Sequence, residues 1–188
     1  MWRAIKKFFI DLIGNIRVYK GGIIFFGESS YKLKGPQLRE ILELVKPGDI
    51  LINRHDHFVS GWFIKGDFKH AGLMVNNNEV IHVIGEGIQK EDVLTFTRAD
   101  AFAIIRCKSD QLTELAIKKA YEQLAKLVKY DYDFDITSNY AEAEFYCSEF
   151  TDYCYGHPLK MTGRHYIFPS DYLEPHQLYE VVYVLTNR

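Results

Sequence analysis

Three side chains carry the types needed for thiol-based nucleophilic catalysis. Cys147 lies in Phe145-Tyr-Cys-Ser-Glu-Phe150, near the start of a short helix predicted over residues 145–155 and ended by Gly156 and Pro158. A free thiol of pKa about 8.5 is only a few per cent thiolate at neutral pH, and a helix N-terminus or an imidazolium lowers that value. Each unit of lowering favours the thiolate by about 1.4 kcal/mol. A free cysteine is also an ordinary small core residue, and its position alone leaves both readings open.

His70 and His82 supply the candidate base and its orienting partner. His70 opens an apolar run, Ala-Gly-Leu-Met-Val75, and His82 sits inside a second run over residues 80–84. Asn76-Asn-Asn78 between them is a hairpin signal. A three-residue turn sets 75 opposite 79 and 72 opposite 82, with Asn78 expected in the left-handed conformation such a turn uses. The two histidines then share a face of adjacent strands as a diagonal pair, about 7–8 Å apart at the backbone. A four-residue turn would put them on opposite faces, so the pairing depends on register. His70 can then take the thiol proton while His82 holds the other ring nitrogen. Taken alone, His82 among valines and isoleucines also reads as a satisfied core histidine.

The elements that must position these groups alternate between helix and strand. Residues 37–45 have helical spacing (Leu38, Ile41, Leu42, Val45) and stop at Pro47-Gly48, after which 49–53 reads as a buried strand. Residues 55–69, with Gly61 and Gly66, read as a loop or lid carrying Trp62 and Phe63. Residues 101–107 form another buried strand. A helix is predicted over 112–128 with Leu112, Leu115, Ala116, Tyr121, Leu124 and Val128 on its inner face and Asp110 as a cap. Residues 179–185 close the chain as a strand. Hairpins outnumber crossovers, which indicates an α+β domain. Met1 to Lys20 reads as an amphipathic helix (Trp2, Ile5, Phe8 or Phe9, Leu12, Ile16), and 21–188 as one domain. That helix packs on the domain or lies at a membrane surface through Arg3, Lys6 and Lys7.

Composition narrows the classes. The 188 residues include 23 Lys plus Arg against 25 Asp plus Glu, a net charge of −2. With a pI of about 6.4 the chain has no general attraction to a phosphate backbone, so no nucleic-acid partner is expected. A hydrophobic content of 47% excludes extensive disorder. The three cysteines are too few for a disulfide scaffold, and Cys147 and Cys154, two turns or roughly 10 Å apart on one helix, cannot bridge. Cys107 and Cys154 read as core. No segment reaches the roughly 20 apolar residues of a membrane span, and Asp11 interrupts the first apolar run, so a cytoplasmic protein without a signal peptide is expected.

In chain order, Lys46-Pro-Gly-Asp-Ile-Leu51, His70-Ala-Gly-Leu-Met-Val75, Val80-Ile-His-Val83, Tyr130-Asp-Tyr-Asp-Phe-Asp135, Tyr146-Cys-Ser-Glu-Phe150 and Pro169-Ser-Asp171 form a fairly specific set. It resembles the circularly permuted papain-like hydrolases, the YiiX-like branch of the NlpC-type cell-wall hydrolase superfamily, related to lecithin retinol acyltransferase. The likeness spans about two thirds of the chain. It implies a permuted papain-like α+β fold, an antiparallel sheet or small barrel with the nucleophile helix against it. It places Cys147, His70 and His82 as nucleophile, base and third member. Many YiiX-like relatives carry Glu at the third place, which makes Glu86 a reserve orienting residue. Tyr130 matches the family's oxyanion-binding tyrosine beside the backbone N–H of Cys147, with Tyr132 or plain packing as alternatives.

The implied activity is a cysteine hydrolase or acyl transferase on amide or ester bonds of cell-wall peptide, lipid or acylated substrates, without cofactor. A reactive thiol with a pKa well below about 8 is expected on that reading. The rival reading is a non-catalytic lipid- or peptide-binding module of the same fold, attached to a membrane by the N-terminal helix. Two metal-like patterns are set aside. Asp131, Asp133, Asp135, Thr137, Asn139 and Glu142 follow a calcium-loop spacing, but Ile136 stands where that loop needs Gly. His55, His57 and His70 lack a partner at zinc-site spacing.

Overall fold

A computed structural model describes residues 16–18, 24–26, 31–58, 61–62, 64–126 and 145–186. The N-terminal helix predicted to Lys20 lies outside these residues up to position 15. Ile16–Val18, given to that helix, is instead strand β1, antiparallel to β2 (Ile24–Phe26). Tyr130, Tyr132 and the acidic pattern over 131–142 also lie outside the described residues.

The remaining elements are α1 (Gly35–Leu44), β3 (Ile50–Arg54), β4 (His70–Met74), β5 (Glu79–Ile84), β6 (Gly87–Asp92), α2 (Val93–Phe96), β7 (Ala101–Cys107), α3 (Asp110–Ala125), α4 (Cys147–Cys154) and β8 (Tyr179–Thr186). Strands β3 to β8 form one antiparallel sheet in the order β6-β5-β4-β3-β7-β8, open at both edges, so the α+β expectation takes its sheet form and not its barrel form. The polar run Gly87-Ile-Gln-Lys-Glu-Asp92, unassigned from sequence, is the edge strand β6. Charged residues suit an edge, where one side of the ladder meets water.

Alternation along the strands divides the core into two layers. Ile50, Ile52, Ala71, Leu73, Ile81, Val83, Ala103 and Ile105 face α3 and α4. Leu51, Met74, Val80, Phe102 and Ile104 face α1 and α2 through Ile41, Val93 and Phe96. Period-2 strands buried on both faces give the near-continuous apolar runs seen in the sequence. On α3 the predicted inner face holds at Leu112, Ala116 and Leu124, which pack against the core, and needs correction at Leu115 and Tyr121, while Val128 lies outside the described residues. Ala116, Ala120 and Gln123 are the buried residues, whereas Leu115 and Tyr121 are exposed. The small alanines let α3 lie close to the sheet, and the cap is Ser109, whose Oγ accepts from Leu112 N–H, not Asp110.

The Lys46-Pro-Gly-Asp turn fixes where β3 begins. Arg106 donates from Nε and Nη2 to the two carboxylate oxygens of Asp49 at 2.8 and 2.7 Å, and Nη2 also donates to the Leu44 carbonyl at 2.8 Å. Gly48 has φ of +91°, and a Cβ there would stand 2.0 Å from Thr113 Cγ2. A side chain is therefore excluded by conformation and by space.

Candidate active site

The β4–β5 hairpin has the predicted register. Gly72 pairs with His82, Met74 with Val80, and Val75 N–H donates to the Glu79 carbonyl at 2.9 Å. The turn closes differently from expectation. Asn78 is not left-handed; its N–H donates to Asn76 Oδ1 at 2.9 Å, an Asx turn.

His70 and His82 meet as a diagonal pair, with His70 Nε2 and His82 Nδ1 2.8 Å apart. The rings stand on the α2 side of the sheet, and Phe96 lies against both at centroid distances of 5.5 and 5.4 Å. Helix α2 delivers Phe96: the Asp92 carboxylate accepts Leu94 N–H at 2.8 Å and starts the turn beside β5. Asn53, opposite His70 across β3 and β4, donates from Nδ2 to the Phe96 carbonyl at 3.0 Å.

These groups line a cleft of about 380 Å³ with Tyr31, His55, Ile84, Glu91, Thr95 and Arg98. Burial, then the neighbouring His82 and His55, push the His70 pKa well below the ordinary imidazole value. Burial alone takes His82 down to about 4. Both rings are therefore neutral at neutral pH, and a neutral imidazole has a lone pair with which to accept a proton.

Cys147 is the first residue of α4, with Tyr146 at the N-cap. The helix is buried along nearly its whole length, and the polar side chains of Ser148, Thr151 and Asp152 are hydrogen-bonded within the protein. Ser148 Oγ donates to the Ile167 carbonyl at 2.7 Å, Thr151 Oγ1 bonds Tyr172 Oη at 2.7 Å, and Asp152 accepts Leu159 N–H at 2.9 Å. The segment after α4 thus clamps the helix and fixes the cysteine at its tip.

The thiol is 3% exposed and belongs to the core on the α3–α4 side. Burial raises its pKa above the ordinary thiol value, opposed by backbone N–H groups of Ala71, Ser148 and Cys147 itself that point at the sulfur. That reverses the low pKa expected from a helix start. Sulfur thus sits against the residue after His70, but consecutive strand residues face opposite ways, and no hydrogen bond joins Cys147 to either imidazole among the described residues. Cys147 is also absent from the residues lining the cleft.

The other sequence candidates separate clearly. Glu86 is exposed in the turn between β5 and β6, away from the cleft. Glu91 on β6 is in the cleft instead, its Oε2 3.8 Å from His82 Nε2. Sequence reasoning missed Glu91 because β6 was not recognised. It missed Asn53 and Phe96 because nothing local marks them; the isolated Gly72 inside an apolar strand was the available sign of a close approach. Of the lid residues, Trp62 is 67% exposed and Phe68 is fully buried core. His55 lines the cleft and His57 does not. Cys107 and Cys154 are buried, free thiols. No helix among the described residues is long and apolar enough to cross a membrane.

No curated protein and no solved structure matches this chain. Residues 44–177, more than two thirds of the chain, match the family model for the permuted papain-like amidase enzyme, YaeF/YiiX, C92 family. The matched span begins at the end of α1, contains the histidine hairpin and the cysteine helix, and closes just before β8. The chain accordingly belongs to the permuted papain-like amidases of the YaeF/YiiX, C92 family, which makes it a cysteine hydrolase in general type.

Proposed function

We propose that the protein hydrolyses an amide bond through Cys147, His70 and His82, with peptide-like substrates carrying charge. The observation that carries this reading is the 2.8 Å imidazole pair, which leaves His70 Nδ1 without a hydrogen-bond partner among the described residues while the Cys147 sulfur rests against Ala71 N–H. The reading requires the Cys147 side chain to leave its core position and reach Nδ1 past the strand end, where His70 is the first residue of β4. Sulfur then attacks the substrate carbonyl as its proton passes to His70 Nδ1. The imidazolium returns that proton to the leaving amine nitrogen, giving a thioester, and water attacks the thioester with His70 again as base. On this reading the N–H groups at the start of α4, which point at the sulfur, donate to the developing oxyanion, and losing one such donor costs about 3–4 kcal/mol.

The cleft argues for the substrate class. Arg98 and Glu91 place opposite charges among imidazoles and an amide, with Ile84 and Phe96 as the apolar contribution, which suits a charged peptide better than a lipid chain.

Acylation tests the reading without knowledge of the natural substrate. Intact-mass analysis after incubation with p-nitrophenyl acetate should show one acetyl group per chain, mapped to Cys147 by peptide mass and missing in Cys147→Ala. His70→Ala should slow acetylation by about 10² or more, the usual contribution of a positioned base. Absence of the acetyl group from Cys147, or equal acetylation of His70→Ala, would overturn the proposal.

A further inference from the structure

The imidazole pair has two possible proton arrangements, and only one of them gives a base. If His82 Nδ1–H donates to His70 Nε2, then the neutral His70 carries its proton on Nδ1 and cannot accept from a thiol. If His70 Nε2–H donates to His82 Nδ1, then His70 Nδ1 holds a lone pair and His82 carries its proton on Nε2. The second arrangement needs an acceptor beyond His82 Nε2.

Glu91 Oε2 stands there, at 3.8 Å. Glu91 opposes Val80 in the β5–β6 ladder, and His82 opposes Gln89, so Glu91 is the diagonal neighbour of His82 on the same face. Its side chain is 33% exposed and lines the cleft, which leaves room for the small rotation that closes 3.8 Å to a hydrogen bond.

We propose that Glu91 is a positioning residue whose carboxylate accepts the His82 Nε2 proton, thereby fixing both rings as Nε2–H tautomers and leaving His70 Nδ1 as the basic nitrogen. The catalytic consequence rests on the cysteine-hydrolase reading; the tautomer itself does not. During reaction the Cys147 proton moves to His70 Nδ1. The positive charge so formed is shared through the Nε2–H bond to His82 and compensated by the carboxylate at the far end. The other charged or titratable groups facing the pair are His55, Arg98 and Tyr31 across the cleft, and Asp92 beside Glu91. Arg98 has no acceptor to offer the His82 Nε2 proton.

Burial and the Asp92 charge raise the Glu91 pKa above the usual carboxylate value. Glu91 faces two neutral imidazoles, the state in which an acceptor at Nε2 sets both tautomers.

Long-range proton–nitrogen NMR correlation on histidine-labelled protein reads the tautomers directly. In Cys147→Ala at neutral pH both rings should be protonated at Nε2. Glu91→Gln keeps an acceptor oxygen and should keep those tautomers. Glu91→Ala should move His82, and His70 with it, to a mixture. With p-nitrophenyl acetate, Glu91→Ala should lose about 10² in kcat with little change in KM. Glu91→Gln should retain most of kcat but shift the acid limb of kcat/KM to lower pH, because the charge that favoured the imidazolium is gone. Glu122→Gln, a comparable charge loss on the exposed side of α3, should shift nothing. Unchanged tautomers in Glu91→Ala would overturn the inference even if the enzyme is an active cysteine hydrolase. An active Cys147→Ala with the expected tautomers would remove the hydrolase reading and leave the Glu91 assignment standing.

Discussion

Phe96 occupies the space in which a Gly72 side chain would stand: a Cβ on Gly72 would lie 2.9 Å from Phe96 Cε2 and 2.6 Å from Val80 Cγ1. The ring therefore rests directly on β4 and reaches both imidazoles. Overpacking of this kind costs about 1–3 kcal/mol. Gly72→Ala should lower the urea midpoint accordingly and, by displacing Phe96, broaden the His70 and His82 ring signals. A variant with unchanged stability and sharp ring signals would show that the close packing is dispensable.

Asp49 is 1% exposed and holds Arg106 by two oxygens while also accepting Lys46 N–H at 2.7 Å. Truncating one member of a buried pair leaves the other uncompensated and costs about 3–5 kcal/mol. Asp49→Ala should lose stability of that order in urea unfolding, and Arg106→Ala a comparable amount. Together the pair should be less than additive, since each single change already breaks the same contacts.

The histidine pair makes stability depend on pH in a defined direction. Both folded-state pKa values lie below the ordinary 6.5, His82 at about 4. Between those values the unfolded chain binds more protons than the folded one, so stability rises with pH in that window and is lost as pH falls from about 6.5 towards 4. His82 alone accounts for up to roughly 3 kcal/mol at about 1.4 kcal/mol per unit. Urea unfolding at pH 7 and pH 4.5 should show a smaller difference in His82→Gln than in the unaltered protein. Equal differences would place the acid sensitivity elsewhere.

Burial of Cys147 predicts a thiol at rest instead of a thiolate–imidazolium pair. Alkylation by iodoacetamide should be slower at pH 7 than that of an ordinary exposed cysteine and should rise with an apparent pKa above about 8.5. Rapid alkylation with a midpoint below 8.5 would mean that the sulfur already pairs with a charged His70 in the free protein.

Much of this architecture is legible in local pattern. The apolar run 101–107 became β7 residue for residue, and the three asparagines at 76–78 specified the turn length that pairs Gly72 with His82. Since side chains alternate with period 2, that single register puts His70 and His82 on one face. The cysteine at a helix start was also legible, because Gly156 and Pro158 stop a short periodic segment. Leu115 and Tyr121 mislead on α3 because helical periodicity admits several faces. Only packing selects the one, centred on Ala116 and Ala120, that fits closely against the sheet.

The order of residues along the chain thus determined the strands, the hairpin register and the imidazole pair, all of which depend on neighbours a few positions apart. Tertiary structure decided the rest. It placed Glu91, and not Glu86, beside His82, because strand pairing across β5 and β6 brings the former to that ring and leaves the latter in the turn. It set the direction of the Cys147 pKa, because that depends on how completely α4 is enclosed, and enclosure is the sum of contacts from segments far apart in sequence.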